Sequence, residues 1–221
     1  FALSLARQGY AITLHYHSAE NEAQKTADEI RALGVPVYPI QADLADVSTI
    51  SSLFSTIDSI PHILKVLVNS AAFMPAGDAS TLSLESWDMS LDLNLRAPFF
   101  LAQEAAKRMT DGGLIVNITD VGAQKAWSRY PSYTVSKAAL ESLTKILARA
   151  LAPMIRVNAI APGLVLQSDI VTPEEWERLI NRVPLKRPAR TDELTSALEF
   201  LIRNEYITGQ TIVVDGGYSL V

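Results

Sequence analysis

The stretch Asn117–Lys137 reads NITDVGAQKAWSRYPSYTVSK and continues directly into the helix-like segment AALESLTKILARAL. Tyr133 and Lys137 are four residues apart, so on a helix they lie on one face, one turn from each other. A tyrosine ordinarily titrates near ~10, too high for easy proton exchange at neutral pH, and a nearby ammonium favours the phenolate. The pair is a candidate tuned acid, although most Tyr and Lys pairs with this spacing are solvated helix faces.

Strand-like and helix-like segments alternate along the chain on both sides of this stretch. This alternation is typical of a parallel sheet covered by helices on both faces. We therefore expect one α/β domain over residues 1–221, with a doubly wound parallel sheet in three layers. A long helical region over 83–109 is expected to bend at Pro98. Strands are predicted at 11–16, 35–41, 63–68, 114–118, 155–160 and 211–214.

The chain begins inside a predicted helix that Gly9 ends. A doubly wound nucleotide-binding fold normally begins with a strand, a glycine-rich turn and then a helix. The first strand and the glycine-rich turn are therefore expected to be missing from this chain, with roughly a dozen or more further residues before Phe1 in the natural protein. The alternative is a different fold that needs no such strand.

Composition narrows the class of protein. The net charge is −5 and there is no cysteine, which disfavours nucleic acid as a partner and excludes thiolate metal sites. No apolar run reaches the ~18 residues that span a bilayer, and no signal peptide is recognisable, so a cytoplasmic protein is expected without a membrane partner. His15 and His17 share a strand face, but no third ligand is suggested, so no metal site is predicted.

Several short motifs, taken together and in order, resemble those of the short-chain dehydrogenase/reductase family over essentially all 221 residues. The resemblance implies a Rossmann-type fold and a nicotinamide dinucleotide cofactor. The motifs are Asp43 in ADL, the Asn69–Ala72 turn where the family has Asn-Asn-Ala-Gly, Asn94 in LNLRAPFF, Tyr133 with Lys137, Pro162–Gly163 in RVNAIAPG, and Asp215–Gly217.

The resemblance also implies roles for these residues. Tyr133 would give a proton to the substrate, Lys137 would grip the nicotinamide ribose and tune Tyr133, and Asn94 would hold a water through its backbone carbonyl. Alternatives stay open: Asn94 as an ordinary helix residue, Asp43 as a helix cap, and the small-residue turn as tight packing. The cofactor-binding residues expected are His17, Ser18, Asp43, Leu44, Asn69, Ser70, Ala71, Tyr133, Lys137, Pro162, Gly163 and Val165.

Asp120 departs from the family pattern, which usually has serine thirteen residues before the tyrosine. A buried aspartic acid can stay protonated and deliver a proton, which suits reduction of a C=N bond. Pteridine reductases, a branch of the family, carry Asp at this place, and HYHS resembles their sequence after the second strand, without their arginine. Phe73, one place early, and Trp127 are expected to bind the substrate. Core packing is the alternative for Phe73, and loop capping is the alternative for Asp120.

The function expected is an NADPH-dependent reductase acting on a C=N or C=O bond of a small molecule, such as a pterin or folate. The alternatives are a general carbonyl reductase for a 3-oxoacyl thioester, ketone or sugar alcohol, and a non-catalytic dinucleotide-binding subunit. NADPH is preferred over NAD because Tyr16, His17 and Ser18 offer no carboxylate to the ribose.

The resemblance also implies a homotetramer or homodimer, commonly formed through the long helices of the fourth and fifth crossovers. Here these helices carry more apolar surface than one side of a sheet needs, although helix packing in the core would use some of it. The apolar residues are Ala97, Phe99, Phe100, Ala105, Ala138, Leu140, Leu143 and Leu147.

Overall fold

The computed structural model describes residues 1–125, 127–168 and 171–221. Its strands are β1 Ile12–Tyr16, β2 Val37–Gln41, β3 Val66–Asn69, β4 Gly113–Ile118, β5 Ile155–Pro162 and β6 Thr211–Val214. Its helices are α1 Ala2–Arg7, α2 Glu20–Ala32, α3 Val47–Asp58, α4 Leu84–Leu91, α5 Ala97–Ala106, α6 Pro131–Leu151, α7 Pro173–Arg182 and α8 Thr191–Arg203. Strands and helices alternate, as predicted, although strand β3 begins three residues later than expected and leaves Ile63 exposed.

Every strand pairing in the described chain is parallel. Strands β3, β4, β5 and β6 are hydrogen-bonded in that order, and β1 pairs with β2 with Ile12 opposite Val37. Parallel strands require crossover connections, which the intervening helices supply. The predicted Rossmann-type α/β fold is confirmed.

Helices cover both faces of the sheet, which gives the predicted three layers. Successive residues of a strand point to opposite faces. Accordingly, Ile115 packs into a core cluster with residues of α3, α5 and α6, while Leu114 and Val116 pack into another with residues of α1, α2 and α8. Both faces of β4 are therefore buried, which explains its continuous apolar sequence.

A cleft separates the two groups of strands. Strands β1 and β3 do not pair with each other, and all of their residues line one cavity between them, at the place where the first strand of the expected fold would lie in the sheet. The segments after these strands, His17 and Ser70–Phe73, line the same cavity together with Asp43. The carboxyl-terminal ends of β1, β2 and β3 therefore open onto one shared space.

The irregularity in the long helical region precedes Pro98 and does not fall at it. A π-helical segment, Asp92–Arg96, separates α4 from α5, and Pro98 lies in the first turn of α5. Pro98 has no N–H, so the carbonyl of Asn94 lacks the donor that an uninterrupted α-helix would provide. This missing donor explains why the helix widens at Asn94, and such π segments are common at functional sites.

The apolar surface expected on two helices is distributed differently from the prediction. Ala97, Ala105, Leu140 and Leu147 are buried in the interior of the chain itself. Of the predicted residues, Phe99 and Ala138 are exposed, and the unpredicted Val135 and Ile146 on α6 are 47% and 60% exposed. Helix periodicity alone does not say which apolar stripe faces the sheet.

Candidate active site

The candidate site lies where β3, β4 and β5 end. These strands are neighbours, with Asn69 opposite Asn117 and Asn117 opposite Ala159. Because they are parallel, the residues after them meet at one edge of the sheet, where ligands of such folds bind. Asp120 follows β4, and α6 then carries Tyr133 and Lys137 back beside it.

Tyr133 and Asp120 are in direct contact. The Tyr133 hydroxyl donates to Oδ2 of Asp120 at 2.9 Å, and only 6% of Tyr133 is exposed. The other oxygen, Oδ1, accepts from the backbone N–H of Gly122 at 2.6 Å and caps a short 3-10 turn, Val121–Ala123. Asp120 therefore has both of the roles considered from the sequence. One carboxylate oxygen caps the loop, and the other contacts the candidate catalytic hydroxyl.

Lys137 is buried beside the same pair. Its ammonium donates to the carbonyl of Ile118 at 2.7 Å and lies 5.7 Å from the centre of the Tyr133 ring. Burial lowers the pKa of Lys137 to about 8, while the negative charge of Asp120 opposes that shift. A charge at this position is therefore sensitive to pH in the range where enzymes work.

The expected lowering of the Tyr133 pKa is wrong for this structure. Burial raises the pKa of Tyr133 well above its usual value, and the charge and hydrogen bond of Asp120 raise it further. Burial also raises the pKa of Asp120, against the hydrogen bonds from Gly122 and Tyr133 and the charge of Lys137. The dominant cause in each case is desolvation, which disfavours the charged form and cannot be read from residue spacing.

Asn94 holds the loop that follows β3. Its side-chain amide donates to the carbonyl of Phe73 and its carbonyl oxygen accepts from the N–H of Phe73, both at 2.8 Å. A further bond, 3.0 Å long, joins the amide to the hydroxyl of Ser136 on α6. Asn94 therefore fixes the backbone of Phe73, whose ring is 37% exposed and lines the cavity. Core packing, the alternative for Phe73, does not describe this position.

Asn69 begins a row of buried polar side chains. Its amide donates to Oδ1 of Asn117 at 2.8 Å, and the amide of Asn117 donates to the hydroxyl of Thr144 at 2.9 Å. The carbonyl oxygen of Asn69 is buried and has no hydrogen-bond partner among the residues that the structure describes. A buried acceptor of this kind marks a place for a donor from a bound group.

The residues assigned to the far end of the cofactor lie around the ends of β1 and β2. His17 and Ser18 are exposed, and Nε2 of His15 is 2.8 Å from the carbonyl oxygen of Ala42. Asp43 does not cap α3, because that role belongs to Asp46, whose side chain accepts from Ser48 N–H.

The side chain of Leu44 is buried in the core cluster, which leaves only its backbone for contact with a ligand.

Thr119, the neighbour of Asp120, is turned away from the site. Its hydroxyl donates to the carbonyl of Ile160 at 3.3 Å, within the sheet.

Gly163 lies at the end of β5 in close contact with the C-terminal segment. A side chain at Gly163 would place its Cβ 2.8 Å from the Cα of Asp215. The carboxylate of Asp215 accepts from the N–H groups of Gly217 and Ser219, which turns the chain after β6. Pro162 is partly buried at the end of the strand, and Val165 packs against the core cluster that contains Leu114.

An aromatic cluster closes the site on the side of α7. The ring of Trp127 lies against Gly122, where an added Cβ would clash at 2.7 Å, and it packs 6.4 Å from the ring of Tyr130 and 6.5 Å from that of Tyr218. Lys125 donates to the carbonyl of Tyr218 at 2.9 Å. Tyr218 was missed in the sequence, because no local pattern links the C-terminus to residues 122–130.

The arrangement fits a dinucleotide. The ends of β1, β2 and β3 carry His17, Asp43, Asn69 and the small residues Ser70–Ala72, which lie side by side at one end of the cavity. Small residues allow close approach of a ligand to the backbone, and the buried Asn69 oxygen offers an acceptor. Within the part of the chain that the structure describes, no group of three His, Asp or Glu side chains is placed to hold a metal ion. No described helix is long and apolar enough to cross a membrane.

Comparison with known proteins places the whole chain among reductases. The family model described as "Enoyl-(Acyl carrier protein) reductase" matches residues 1–219. The 3-oxoacyl-[acyl-carrier-protein] reductase FabG of Staphylococcus aureus is 33% identical over 98% of this chain and 91% of its own length. The 1-cyclohexenylcarbonyl-CoA reductase of Streptomyces collinus is 34% identical over 100% of this chain and 82% of its own length.

A solved structure gives a second line of similarity. The crystal structure of FolM alternative dihydrofolate reductase 1 from Brucella suis in complex with NADP superposes with a TM-score of 0.93 at 34% identity, covering 100% of this chain and 89% of that one. FabG and FolM therefore resemble the chain to nearly the same degree, although their names point to different substrates.

Proposed function

The chain belongs to the short-chain dehydrogenase/reductase family, and we propose that it is an NADPH-dependent reductase of a C=N bond in a pterin- or folate-class substrate. It is an oxidoreductase that uses a nicotinamide dinucleotide and acts on a small molecule. The observation that supports the finer assignment is the 2.9 Å contact between the Tyr133 hydroxyl and Oδ2 of Asp120. A serine at position 120, the usual family residue, would have no carboxylic proton to supply.

Reduction of C=N adds a hydride to carbon and a proton to nitrogen. The nicotinamide ring supplies the hydride when the cofactor is bound. The Tyr133 hydroxyl gives its proton to the substrate nitrogen, and the carboxylic acid of Asp120 returns a proton to the Tyr133 oxygen across the 2.9 Å contact. The Lys137 ammonium stabilises the phenolate that forms between these two transfers.

Burial makes Asp120 suitable as the proton source. Its raised pKa keeps more of the acid form at neutral pH than an exposed aspartate would hold. A tyrosine with a raised pKa is likewise protonated before the reaction. The raised pKa values favour the protonated form of both groups, which is the form that a nitrogen acceptor requires, and Asp120 draws its replacement proton from solvent after turnover.

Two aromatic side chains are proposed to hold the flat ring of the substrate. Phe73 is fixed by Asn94 and lines the cavity, and Trp127 stands over Gly122 beside Asp120. Aromatic faces stack favourably on planar heterocycles, with typical contributions of about 0.5–1.5 kcal/mol beyond burial. A pterin between these side chains would present its ring nitrogens to Tyr133.

The preference for NADPH rests on the end of β1. His17 and Ser18 are exposed there, and no carboxylate stands among residues 16–18 to repel a 2′-phosphate. The Ser18 hydroxyl can donate to a phosphate oxygen, and a protonated His17 can do the same. The NADP complexes of the Brucella proteins are consistent with this choice for a chain of this fold.

A general carbonyl reductase is the second candidate. The identity of 33% to FabG over 98% of the chain favours a 3-oxoacyl thioester as substrate. In that reaction the proton goes to an oxygen atom, for which Tyr133 alone is sufficient. Asp120 then stabilises the loop by accepting a hydrogen bond from the Gly122 N–H, and it contributes little to catalysis.

We further propose a homodimer or homotetramer that buries the exposed apolar faces of α5 and α6. Phe99, Val135 and Ile146 are exposed on these helices, at 37%, 47% and 60%. Association would remove this apolar surface from water at about 25 cal/mol per Å². A cytoplasmic location stays a prediction.

A substrate comparison tests the proposal. Initial rates would be measured with dihydrobiopterin, dihydrofolate and acetoacetyl-CoA, each with NADPH and with NADH. The proposed function requires a higher kcat/KM for at least one pterin than for the thioester. A thioester reduced efficiently while both pterins are inert would establish the carbonyl reductase instead.

A further inference from the structure

Three segments meet on the outer side of the aromatic cluster. The N–H of Gly77, in the loop after β3, donates to the carbonyl of Arg129 at 3.0 Å. The guanidinium of Arg129 reaches Glu175 on α7, with Nη1 3.6 Å from Oε1. Leu179, one turn further along α7, packs against the cluster that includes Val121 and Trp127. Arg129 therefore lies between the Phe73 loop and α7, at the edge of the proposed substrate site.

Two arginines share one carboxylate oxygen at this edge. Nη2 of Arg178 is 3.3 Å from the same Oε1 of Glu175. The side chains of Arg129 and Arg178 are 71% and 72% exposed, whereas that of Glu175 is 31% exposed. Each guanidinium has five N–H donors in a fixed plane, so most donors of both groups point to solvent.

The surrounding sequence is basic in a chain that is acidic as a whole. Residues 121–130 and 173–193 carry seven Lys or Arg and five Asp or Glu, with Arg187 and Arg190 paired to Glu193 and Asp192, whereas the full chain has 19 basic and 24 acidic residues. A positive field at one edge of a site concentrates and orients anionic ligands. An exposed carboxylate or phosphate is the natural ligand for such a pair of arginines.

We propose that Arg129 and Arg178 form a subsite for the carboxylates on the tail of a folate-class substrate. This inference rests on the proposed function and specifies it. In a folate, the ring that is reduced carries an aminobenzoyl-glutamate tail, and the glutamate has two carboxylates. Glu175 occupies the arginines while the subsite is empty and competes with the tail for them. The subsite selects folates over pterins with neutral side chains.

A purely structural role for the same contacts predicts a different result. If Arg129 and Glu175 only connected α7 to the neighbouring loop, loss of either partner would loosen α7 and weaken the binding of every substrate to the same degree. If Glu175 competes with the tail, Glu175→Gln frees both arginines and strengthens the binding of the anionic substrate. The two accounts therefore differ in the sign of the Glu175→Gln effect.

Steady-state kinetics with a matched substrate pair provide the main test. Dihydrofolate and dihydrobiopterin have the same reacting ring, but only dihydrofolate has a charged tail. Arg129→Gln and Arg178→Gln should each raise the KM for dihydrofolate by roughly 1.5- to 5-fold, the range of one exposed ion pair, and Glu175→Gln should lower it. The KM for dihydrobiopterin should stay within error of wild type in all three.

The control variant is Arg203→Gln. Arg203 is 73% exposed and pairs only loosely with Glu199 at 3.8 Å on the last turn of α8, so it matches Arg129 in exposure and charge. Neither KM should change in this variant. Equal changes in KM for both substrates in Arg129→Gln, Arg178→Gln and Glu175→Gln, or a rise in the KM for dihydrofolate in Glu175→Gln, would overturn the subsite.

A binding measurement separates this inference from the proposed function. N-(4-aminobenzoyl)-L-glutamate and its uncharged diamide would be titrated calorimetrically into wild type, Arg129→Gln and Glu175→Gln. The dicarboxylate should bind more tightly than the diamide, less tightly in Arg129→Gln and more tightly in Glu175→Gln. Equal binding of the two probes, or no binding, overturns the subsite even if pterins are reduced. Charge-dependent binding without pterin reduction refutes only the proposed reaction.

Discussion

The phenolic oxygen of Tyr133 lies 2.9 Å from Oδ2 of Asp120, and the Gly122 N–H holds the other oxygen of that carboxylate at 2.6 Å. The carboxyl group is therefore oriented by the loop and cannot rotate freely away from the phenol. Fixed donors and acceptors of this kind reduce the reorganisation needed during proton transfer. In the proposed function, this pair supplies the proton that the substrate nitrogen takes up.

Replacement of Asp120 should separate two activities. Asp120→Ser removes the carboxylic proton, so pterin reduction should fall by roughly 10²-fold, the lower range for a general acid. Ketone reduction should be preserved or improved, because a serine suits a carbonyl oxygen. Asp120→Asn should resemble Asp120→Ser towards pterins. A parallel loss of both activities, measured as kcat/KM, would assign Asp120 to the loop alone.

Removal of the Tyr133 hydroxyl should abolish most turnover without unfolding the protein. Tyr133→Phe keeps the ring in its buried position but deletes the transferable proton, so kcat should fall by roughly 10²–10⁴-fold. The circular dichroism spectrum should match that of wild type, because the ring still packs on α6. Turnover close to wild type in this variant would contradict the assignment.

The pH profile should report Lys137. Its pKa of about 8 means that the ammonium is lost as the pH rises through this value, and with it the charge that stabilises the phenolate. The kcat/KM should therefore fall above about pH 8. Because the charge of Asp120 raises the Lys137 pKa, Asp120→Asn should move the falling limb of the pH profile to lower pH. A limb that stays in place in the variant would exclude coupling between the two groups.

A carboxylate introduced beside the adenosine ribose should reverse the cofactor preference. Ser18→Asp places a negative charge where the 2′-phosphate is expected, and about 1.4 kcal/mol of repulsion would change the NADPH to NADH ratio of kcat/KM by roughly tenfold. Ser55→Asp on the exposed face of α3 serves as the control and should leave the ratio unchanged. A wild-type enzyme that prefers NADH would refute the expectation at the outset.

A charge on the exposed apolar face of α6 should disrupt assembly. Ile146 is 60% exposed, and Ile146→Glu would bury an unpaired carboxylate in the proposed interface, which is strongly unfavourable. Light scattering at micromolar concentration should show an oligomer for wild type and a smaller species for the variant. Leu33→Glu, on a residue 45% exposed at the end of α2, should leave the assembly intact. A monomeric wild type would disprove the interface.

Local sequence determined the order of elements and the chemistry available to them. The alternation of apolar strands and amphipathic helices indicated a parallel α/β sheet, because residues of one face are spaced by two in a strand and by three or four in a helix. The four-residue spacing of Tyr133 and Lys137 placed both on one face of α6 for the same reason. Pro98, which cannot donate a backbone hydrogen bond, indicated an irregularity in this helical region, but the structure places it at Asp92–Arg96 and not at the proline.

The tertiary structure decided everything that depends on environment. The carboxylate of Asp120 reaches Tyr133 only because the loop after β4 turns back over the first turns of α6, and burial there raises the pKa of Tyr133 where spacing alone suggested a lower value. Tyr218 joins Trp127 through the packing of β6 beside β5. Desolvation and contacts between distant segments arise from the packed chain as a whole, so no local pattern of residues encodes them.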